Sequence, residues 1–331
     1  MSNKTNFHNL QSLLIVIVNY RTPTLVIDCL ASLQNEIEIG RDSVVVVDNA
    51  SNDDSIEKID KALKDNNWQS WVKIVESHIN GGFSAGNNIG IKTKKADAYL
   101  LLNSDTIVRP GAIKSLLEAA KENPKAGLIS PRLEWLDGKP QISNFRYHSP
   151  ISELIKSAGT GVVTKLLKRY DVPLQVFDTP YNPQWTSFAC VLIRSEVIEQ
   201  IGLMDEGYFM YFDDVDYCRR AKNAGWQILH FPSARVVHLR GGSGSVKKDV
   251  AARKRPKSYL YASRTRYFTK FYGLIGYWMA NLLWLVGRSI SLIRELLNNK
   301  KPHNCEYESF DIWHNWQNPM KPFFLPKKKF N

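Results

Sequence analysis

The sequence predicts an α/β fold with a mostly parallel sheet. Continuous apolar runs of strand length, such as residues 13–18 and 44–47, alternate with stretches of helical periodicity. Continuous apolar runs are typical of strands buried on both faces, and the alternation of strands with helices is typical of parallel sheets. Ligands of such folds bind beyond the carboxyl ends of the strands, and the polar motifs of this chain follow strand ends.

The predicted elements cover residues 13–237. Strands are predicted at 13–18, 44–47, 71–75, 99–102, 128–129, 185–194, 227–229 and 234–237. Helices are predicted at 23–33, 53–66, 85–94 and 110–122, in a short stretch that ends at Gly202, and from residue 213 to a glycine cap at Gly225. Residues 131–185 break the pattern, and we expect this long excursion to be mobile or to form a wall of a substrate site.

Charge and cysteine content restrict where the protein works. The 331-residue chain has a formal net charge of +12, and from Arg240 onward it has 18 Lys and Arg against 5 Asp and Glu. The positive charge therefore belongs to the C-terminal quarter, and it indicates an anionic surface such as a membrane. The four cysteines form no C-x-x-C pair and residues 1–9 lack the plan of a signal peptide, so we expect a cytoplasmic protein.

A helix predicted at 272–297 carries apolar residues on one face. They are Ile275, Trp278, Leu282, Leu285, Leu292 and Leu296, with Ser289 among them. Its uninterrupted apolar core, residues 273–287, is too short to span a bilayer, and Arg288 and Arg294 follow. We expect an interfacial helix lying on an anionic membrane, on the inner face of the plasma membrane. The alternative is a helix packed on the domain or on a partner.

Three carboxylates lie within residues 213–216, directly after an aromatic run. Asp213 as an N-cap and Asp216 at the third helical position would satisfy orphan amides, which is the purely structural interpretation. Capping leaves Asp214 free. A carboxylate at the start of a helix, beside apolar side chains that exclude water, is a plausible general base.

Polar motifs also follow the other predicted strands. Asp48 ends the second strand, and a glycine-rich turn at 80–90 offers a helix start of the kind that favours phosphate. Asp105 ends a fully apolar strand and is a candidate ligand for Mg²⁺ or Mn²⁺. His238 follows the last strand and is either structural or a metal ligand. Each motif alone is weak, since loop carboxylates and tight turns are common.

Taken together, five motifs resemble family 2 glycosyltransferases and, within them, the rhamnosyltransferase-like branch. The motifs lie at 17–21, 47–51, 80–90, 101–105 and 211–216, and the resemblance covers about residues 12–243. It implies a GT-A fold, which is a single nucleotide-diphospho-sugar binding domain, and a reaction that inverts the anomeric centre. Together with the residue patterns it predicts a division of the chain. We expect a polar lead (1–11), a catalytic domain (12–245) with a nucleotide-sugar half (12–130) and an acceptor half (131–245), a basic linker with a membrane-associating helix (246–299), and a mobile tail (300–331).

The resemblance also implies roles for individual residues. Asp214 matches the base and Asp213 its acidic neighbour, while Asp105 and His238 match the metal site. The residues expected to bind the nucleotide sugar are Asn19, Tyr20, Arg21, Asp48, Asn80, Gly82, Phe83, Asn87, Asn88, Asn103, Ser104 and Asp105. Within that set, Asp48 would read the pyrimidine base, and Asn103, which replaces the first acid of the family's D-x-D-type element, would have a weaker role.

The acceptor site is expected around Trp185 and Phe188. Trp185 resembles an aromatic residue that lines the acceptor sugar, although a buried tryptophan is also ordinary core. Phe188 stands where relatives commonly have glycine, and Leu203-Met204-Asp205 stands where they often have Gly-Phe-Asp. Both departures add bulk near the acceptor, so they bear on the identity of the acceptor more than on the chemistry.

The function implied by the resemblance is transfer of a sugar, best guessed as rhamnose from dTDP-rhamnose, to a hydroxyl of a glycan or lipid-linked glycan in bacterial cell-surface polysaccharide synthesis. A UDP-hexose donor, a nucleotidyltransferase and a non-catalytic nucleotide-sugar-binding scaffold at the membrane are the alternatives. A nucleotidyltransferase needs a cation to grip a triphosphate, and residues 80–91 contain no Lys or Arg. Nucleic-acid binding is disfavoured because the basic run adjoins an amphipathic helix and not a sheet bearing stacking aromatics.

Overall fold

The computed structural model describes residues 10–241, 246–297 and 301–323 and confirms the α/β fold. Its strands are β1 (Leu13–Asn19), β2 (Asp42–Asp48), β3 (Val72–Glu76), β4 (Ala98–Asn103), β5 (Thr106–Val108), β6 (Ala126–Glu134), β7 (Asn144–Phe145), β8 (Trp185–Thr186), β9 (Cys190–Arg194) and β10 (Gln227–His238). Its helices are α1 (Pro23–Leu33), α2 (Ser55–Asp65), α3 (Gly82–Lys92), α4 (Ala112–Glu122), α5 (Pro150–Ala158), α6 (Gly161–Leu166), α7 (Ser195–Ile201), α8 (Asp213–Asn223), α9 (Val246–Ala251), α10 (Ser258–Leu296) and α11 (Glu308–Asp311).

The main sheet has eight strands in the order β3-β2-β1-β4-β9-β6-β10-β5. The pairs β2–β3, β1–β2, β1–β4 and β6–β10 are parallel, whereas β9 runs antiparallel to both of its neighbours and β5 runs antiparallel to β10. A separate two-stranded sheet pairs β7 with β8. The sheet is therefore mostly parallel, as the sequence predicts.

The register of the sheet brings the strand-end motifs to one edge. Asn19 of β1 pairs with Asp48 of β2, and Val18 pairs with Asn103 of β4. His238 of β10 pairs with Thr106 of β5, which places it beside Asp105. Because parallel strands end at the same edge, motifs that are up to 219 positions apart in the chain meet there.

Both faces of the sheet are buried, which explains the continuous apolar runs. In β1, Leu13, Ile15 and Ile17 pack with α1, α2 and α4 on one face. Leu14 and Val16 belong to the core on the other face, which α3, α7, α8 and α10 cover. The alternation of strand side chains between two apolar layers leaves no solvated face on the central strands.

Three predicted stretches differ from the structure. The strand predicted at 185–194 is two strands, β8 and β9, in different sheets, since residues 187–189 turn between them. The strands predicted at 227–229 and 234–237 are one strand, β10, with an irregularity between Phe231 and Arg235. The excursion at 131–185 contains the end of β6 and helices α5 and α6, so it has more regular structure than its Pro and Gly content suggests.

The C-terminal region is part of the same packed body. The helix predicted from residue 272 begins at Ser258 and is kinked at Gly273, whose φ is 68°. Its first half contributes Tyr267 and Phe268 to the core of the α/β domain. None of the described helices is long and apolar enough to cross a membrane.

The tail expected to be mobile from residue 300 packs on α10 over residues 301–323. Arg255 forms an ion pair with Asp311, and Thr265 Oγ1 donates to the carbonyl oxygen of His314 at 2.9 Å. The ring of Trp313 lies 5.0 Å from that of Trp278. Aromatic and backbone contacts of this kind need no periodicity, which is why the sequence pattern did not indicate them.

Candidate active site

A cleft of about 290 Å³ opens at the edge where β1 and β4 end. Its walls come from strand ends, from the start of α3 and α8, and from the first turn of α10. The lining residues are Val18, Tyr20, Asn49, Asn80, Gly82, Phe83, Asn103, Ser104, Asp105, Ser187, Phe188, Ala189, Phe209, Met210, Tyr211, Asp213, Asp214, His238, Gly241 and Tyr259.

Asp105 and His238 face each other in the cleft. Asp105 Oδ1 lies 3.4 Å from His238 Nε2, and the amide of Leu239 donates to the carbonyl oxygen of Asp105 at 2.9 Å. Gln141 Nε2 donates to the carbonyl oxygen of His238 at 2.7 Å. Both side chains are almost fully buried, and the hydrogen bonds that their backbone carbonyl groups accept fix their positions.

This pair fits a divalent cation only in part. A carboxylate oxygen and an imidazole nitrogen are acceptable ligands for Mn²⁺ and Mg²⁺, and Nδ1 of His238 has no hydrogen-bond partner within the described residues. No group of three His, Cys, Asp or Glu side chains is gathered for a metal anywhere in the described part of the chain. A cation held here would take its other ligands from a substrate and from water.

Asp213 and Asp214 open helix α8 at the opposite wall of the cleft. Helix α8 begins at Asp213, so its N-cap is Phe212 and Asp213 is not the cap that the structural interpretation assumed. Asp213 is buried, and its Oδ2 has no hydrogen-bond partner among the described residues. Asp214 is partly exposed in the cleft, and its Oδ1 accepts from the amide of Val215 at 2.8 Å.

Burial and mutual repulsion disfavour ionisation of this pair. Burial raises the pKa of Asp214 to about 7. Burial and the neighbouring Asp214 both raise the pKa of Asp213 well above its usual range. Two carboxyl groups so close together titrate as a pair, and the second proton is lost with difficulty. The pair can therefore hold or accept a proton near neutral pH.

The turn before α8 is strained. Tyr211 has φ 68° and Phe212 has φ 63°, a left-handed conformation that bulky residues rarely adopt. The turn is held from two sides: Phe83 N donates to the carbonyl oxygen of Phe209 at 2.7 Å, and Ser263 Oγ of α10 donates to that of Met210 at 3.0 Å. These two hydrogen bonds orient the first turn of α8 toward the cleft.

Asp216 has a structural position, away from the cleft. It is fully buried and accepts from Tyr208 Oη at 3.1 Å and from Arg220 Nε at 2.8 Å. Lys270 Nζ of α10 lies 2.6 Å from Asp216 Oδ1 and 2.8 Å from Asp205 Oδ2. Although burial alone would raise the pKa of Asp205, its bonds to Arg266 and Lys270 lower it to about 2. This ionic cluster connects helix α8 to α10.

Seven of the residues expected to bind the nucleotide sugar line the cleft, namely Tyr20, Asn80, Gly82, Phe83, Asn103, Ser104 and Asp105. Asp48 does not. Its Oδ1 accepts from Asn19 Nδ2 at 2.7 Å and its Oδ2 from the amide of Ser51 at 3.0 Å, so its carboxylate stabilises the turn after β2. Arg21 donates from Nε to the carbonyl oxygen of Ser51 at 2.9 Å and also lies outside the cleft lining.

Asn87 and Asn88 of α3 are turned away from the cleft as well. Asn88 is buried: its Nδ2 donates to the carbonyl oxygen of Met204 and its Oδ1 accepts from the amide of Met204. Asn87 donates to the carbonyl oxygen of Phe83 at 2.9 Å. Asn88 therefore connects α3 to the segment at Met204, whereas the bond of Asn87 lies within α3.

Of the two residues expected at the acceptor site, only Phe188 lines the cleft. Trp185 lies in the core, where its ring stacks on that of Phe145 with 4.2 Å between centroids. Its Nε1 donates to the carbonyl oxygen of Arg146 at 2.8 Å. Its surroundings are those of the ordinary core tryptophan that the sequence analysis kept as the alternative.

Nine lining residues were not among the predicted site residues, and Asn49 and Tyr259 are two of them. Asn49 Nδ2 donates to Asn80 Oδ1 and to the carbonyl oxygen of Gly82, each at 3.0 Å, and its position next to Asp48 was an available signal. Tyr259 comes from α10, and its ring stacks with that of Tyr211 at 6.3 Å. Nothing local in the sequence links Tyr259 to the cleft, whose other lining residues all precede α10.

Comparison with known proteins agrees with the geometry. Residues 11–257 match the model of a family described as glycosyltransferase like family 2. The chain belongs to glycosyltransferase family 2. This family 2 glycosyltransferase is 29% identical to an N-acetylglucosaminyl-diphospho-decaprenol L-rhamnosyltransferase of Mycobacterium tuberculosis, over 61% of this chain and 64% of that protein. It is 25% identical to the dTDP-rhamnosyl transferase RfbF of Shigella flexneri, over 60% of each protein. It thus spans less than two thirds of the length of these curated relatives.

Solved structures confirm the GT-A fold. GalNAc-T7 with UDP, GalNAc and Mn²⁺ superposes with a TM-score of 0.57 and 15% identity, over 96% of this chain and 56% of that one. The mannosyltransferase PcManGT of Pyrobaculum calidifontis with GDP-Man and Mn²⁺ has a TM-score of 0.55 and 12% identity, over 87% of this chain and 76% of that one. At such identities the likeness concerns the fold alone.

Proposed function

We propose that this family 2 glycosyltransferase transfers a sugar from a nucleotide-diphospho-sugar to a hydroxyl of a glycan or lipid-linked glycan, with inversion. The observation that supports it is the cleft itself. Asp105 and His238, which suit a diphosphate with its cation, share that cleft with Asp214, whose pKa of about 7 suits a general base.

Asp214 takes the acceptor proton in this mechanism. The acceptor oxygen attacks C1 of the donor sugar, the bond from C1 to the diphosphate oxygen breaks, and the nucleoside diphosphate leaves with the bonding electron pair. The acceptor proton passes to Asp214. No covalent enzyme intermediate is needed, because attack comes from the face opposite the leaving group.

Asp105 and His238 are the residues that would hold Mg²⁺ or Mn²⁺. When bound, such a cation neutralises the charge of the leaving diphosphate. The glycine-rich start of α3 and the side chains of Asn103 and Ser104 complete the donor side of the cleft. Phe188 and the aromatic residues of the strained turn form its apolar side, which excludes water from the reacting atoms.

The donor we favour is dTDP-rhamnose. Two relatives are named as rhamnosyltransferases, and one of them acts on a diphospho-decaprenol-linked sugar by its name. A UDP-hexose is the second candidate, since a low-salt glycan biosynthesis hexosyltransferase of Haloferax volcanii is 26% identical over 69% of this chain and 67% of that protein. A non-catalytic scaffold would not need a buried carboxyl pair in the cleft, which disfavours that alternative.

Donor binding is tested by thermal shift with a panel of dTDP-, UDP- and GDP-sugars, with and without Mn²⁺. We expect dTDP-rhamnose to stabilise the wild type most, to do so only with Mn²⁺, and to have no effect on Asp105→Ala. Asp28→Ala, on the exposed face of α1, is the control and should respond as the wild type does. Stabilisation by none of these nucleotide sugars would contradict the proposal.

The role of Asp214 is tested in the same samples. Asp214→Asn should lower transfer by about 10²–10⁴-fold, as expected for loss of a general base, while donor-induced stabilisation stays near that of the wild type. Product formation is followed by release of the nucleoside diphosphate. Substantial turnover by this variant would remove Asp214 from the base role, even if donor binding is as expected.

A further inference from the structure

The second half of α10, residues 274–297, turns its apolar side chains to solvent. The exposed large apolar residues are Leu274, Ile275, Trp278, Met279, Leu282, Val286, Leu292, Ile293, Leu296 and Leu297. At about 100° per residue they fall on one side of the helix, and we call this set the α10 stripe. It has a length of roughly 35 Å at about 1.5 Å per residue.

The opposite side of the same segment faces the protein with aromatic, small and polar residues. The buried residues there are Gly276, Tyr277, Ala280, Asn281, Trp284, Gly287 and Ser291. A Cβ added to Gly287 would lie 2.5 Å from the carbonyl oxygen of Leu154, so α10 approaches α5 too closely for a larger residue. A surface helix normally buries its apolar stripe and exposes its polar one. Here the buried side contributes Tyr277, Ala280 and Trp284 to the core, and the apolar α10 stripe is exposed in addition. An exposed apolar surface of this length calls for an apolar cover.

Positive charge surrounds the end of the α10 stripe. The stripe itself contains no charged residue, and Lys301 follows four positions after Leu297. Arg253 Nη1 donates to the carbonyl oxygen of Pro302 at 3.2 Å, which brings the basic segment 253–257 beside Lys301. Within the described residues, no carboxylate lies at ion-pair distance from Lys254, Lys257 or Lys301, and all three are exposed.

We propose that the α10 stripe docks into the interfacial region of an anionic lipid bilayer. Apolar side chains would enter the boundary between headgroups and acyl chains, and the neighbouring cations would meet anionic headgroups. A second copy of the chain would offer the same apolar stripe but no anionic complement to these cations. Charge complementarity therefore favours lipid over self-association.

The same helix connects this surface to the cleft. The first half of α10 supplies Tyr259 to the cleft lining, and Ser263 holds the turn before α8. Docking through the second half brings the cleft to the bilayer surface, where a lipid-linked acceptor lies. This last consequence rests on the proposed function, whereas lipid binding itself does not.

Co-sedimentation with vesicles tests the docking. The full-length protein is mixed with vesicles of phosphatidylcholine alone, and with vesicles of phosphatidylcholine and phosphatidylglycerol in equal amounts. We expect binding to the anionic vesicles to exceed binding to the neutral ones by about tenfold or more at low salt. The variant Ile275→Glu with Ile293→Glu should bind about 100-fold more weakly, since two side chains of the stripe lose their burial.

A charge-matched control distinguishes two effects of the Glu substitutions: the lost burial of apolar side chains in the bilayer, and the repulsion between added carboxylates and anionic headgroups. Val162→Glu with Leu166→Glu replaces two apolar residues of α6 that are 70% and 78% exposed, against 82% and 58% for Ile275 and Ile293. This control should bind as the wild type does. A second stripe variant, Leu282→Glu with Leu296→Glu, repeats the test at other exposed positions and guards against misfolding of the first.

Three outcomes would overturn the docking proposal. They are equal binding to both kinds of vesicle, unchanged binding of both stripe variants, and a lipid-free dimer, seen by light scattering, that the stripe variants dissociate. Donor-induced stabilisation, measured in the same samples, reports on the nucleotide-sugar site. Lipid binding without donor response, or the reverse, therefore tells which of the two proposals fails.

Discussion

At the scale of single residues, the proposed chemistry depends on two carboxyl groups that the fold makes difficult to ionise. Asp213 and Asp214 share the first turn of α8, where burial raises both pKa values and the charge of Asp214 raises that of Asp213 further. A base with a pKa of about 7 is ionised often enough to accept a proton and basic enough to take it. The arrangement lowers the free energy of unfolding at neutral pH, and it gives the carboxyl pair a pKa suited to proton transfer.

Activity should follow the ionisation of Asp214. Since only the carboxylate accepts a proton, we expect kcat/KM to fall as the pH drops below about 7, by about tenfold per pH unit. The measurement is a pH profile of nucleoside diphosphate release, with donor-induced thermal stabilisation followed over the same range as the control. A rate that stays constant across pH 7 would contradict the assignment.

The same shift has a consequence for stability, with a definite sign. The pKa of Asp214 in the folded chain, about 7, lies above its ordinary value of 3.8, so the folded state holds the proton more tightly than the unfolded state does. The free energy of unfolding is therefore expected to fall as the pH rises from about 4 to about 7. Asp214→Asn should be more stable than the wild type by roughly 1–3 kcal/mol above this window, and equally stable below it, in denaturant titrations.

At the scale of elements, helix α3 begins where it does because the backbone of the turn before α8 passes over it. Gly82 has φ 85°, and a Cβ added there would lie 2.0 Å from the carbonyl oxygen of Phe209. The glycine was expected to allow close approach of a phosphate, whereas in the structure it allows close approach of the Phe209 backbone. The adjacent amide of Phe83 bonds that same carbonyl, so α3 holds the strained turn in place.

Gly82→Ala should therefore disturb the turn that carries the base. The backbone clash cannot be relieved by a side-chain rotation, so we expect a loss of about 2–4 kcal/mol in the free energy of unfolding and a large fall in transfer. Gly40→Ala is the matched control, because Gly40 has φ 95° but no atom within 4 Å of the added Cβ. It should lose about 1 kcal/mol from conformational strain alone, with transfer unchanged. Equal losses for the two variants would contradict this account of Gly82.

At the scale of the whole molecule, residues beyond the family match are built into the catalytic body. Arg264 of α10 is buried, and its Nε donates to Glu153 Oε2 of α5 at 2.9 Å. Its Nη1 donates to Asn281 Oδ1 at 2.7 Å and to the carbonyl oxygen of Ile312 at 3.4 Å. One guanidinium thus joins α5, both halves of α10 and the C-terminal segment.

Removal of this guanidinium should lower the free energy of unfolding of the whole protein. Arg264→Met leaves Glu153 as a buried, unpaired carboxylate, so we expect a loss of about 3–5 kcal/mol in a single cooperative transition. Arg255→Met removes an exposed ion pair with Asp311 and should cost less than about 1 kcal/mol. Two separate transitions in the wild type, one for the C-terminal region alone, would contradict the view that this region is part of one cooperative unit.

Local patterns in the sequence were sufficient for the fold class, for the family and for most individual elements of the sheet. The local pattern of hydrophobic residues is enough to predict buried strands and amphipathic helices, as β1 and α1 illustrate. Asp105, His238, Asp213 and Asp214 could be named because each follows a strand end or an aromatic run, and parallel strands bring such positions to one edge.

Only the tertiary structure determined which polar residues line the cleft and which form hydrogen bonds outside its lining. Asp48, Asn88 and Trp185 have the right residue types for a binding site, yet each is hydrogen-bonded to a residue from another segment, namely Asn19, Met204 and Arg146. The entry of Tyr259 into the cleft and the outward orientation of the α10 stripe depend in the same way on packing between distant segments. Local periodicity indicates that a helix has an apolar side. Whether that side faces the core or the solvent depends on how the rest of the chain packs against the helix.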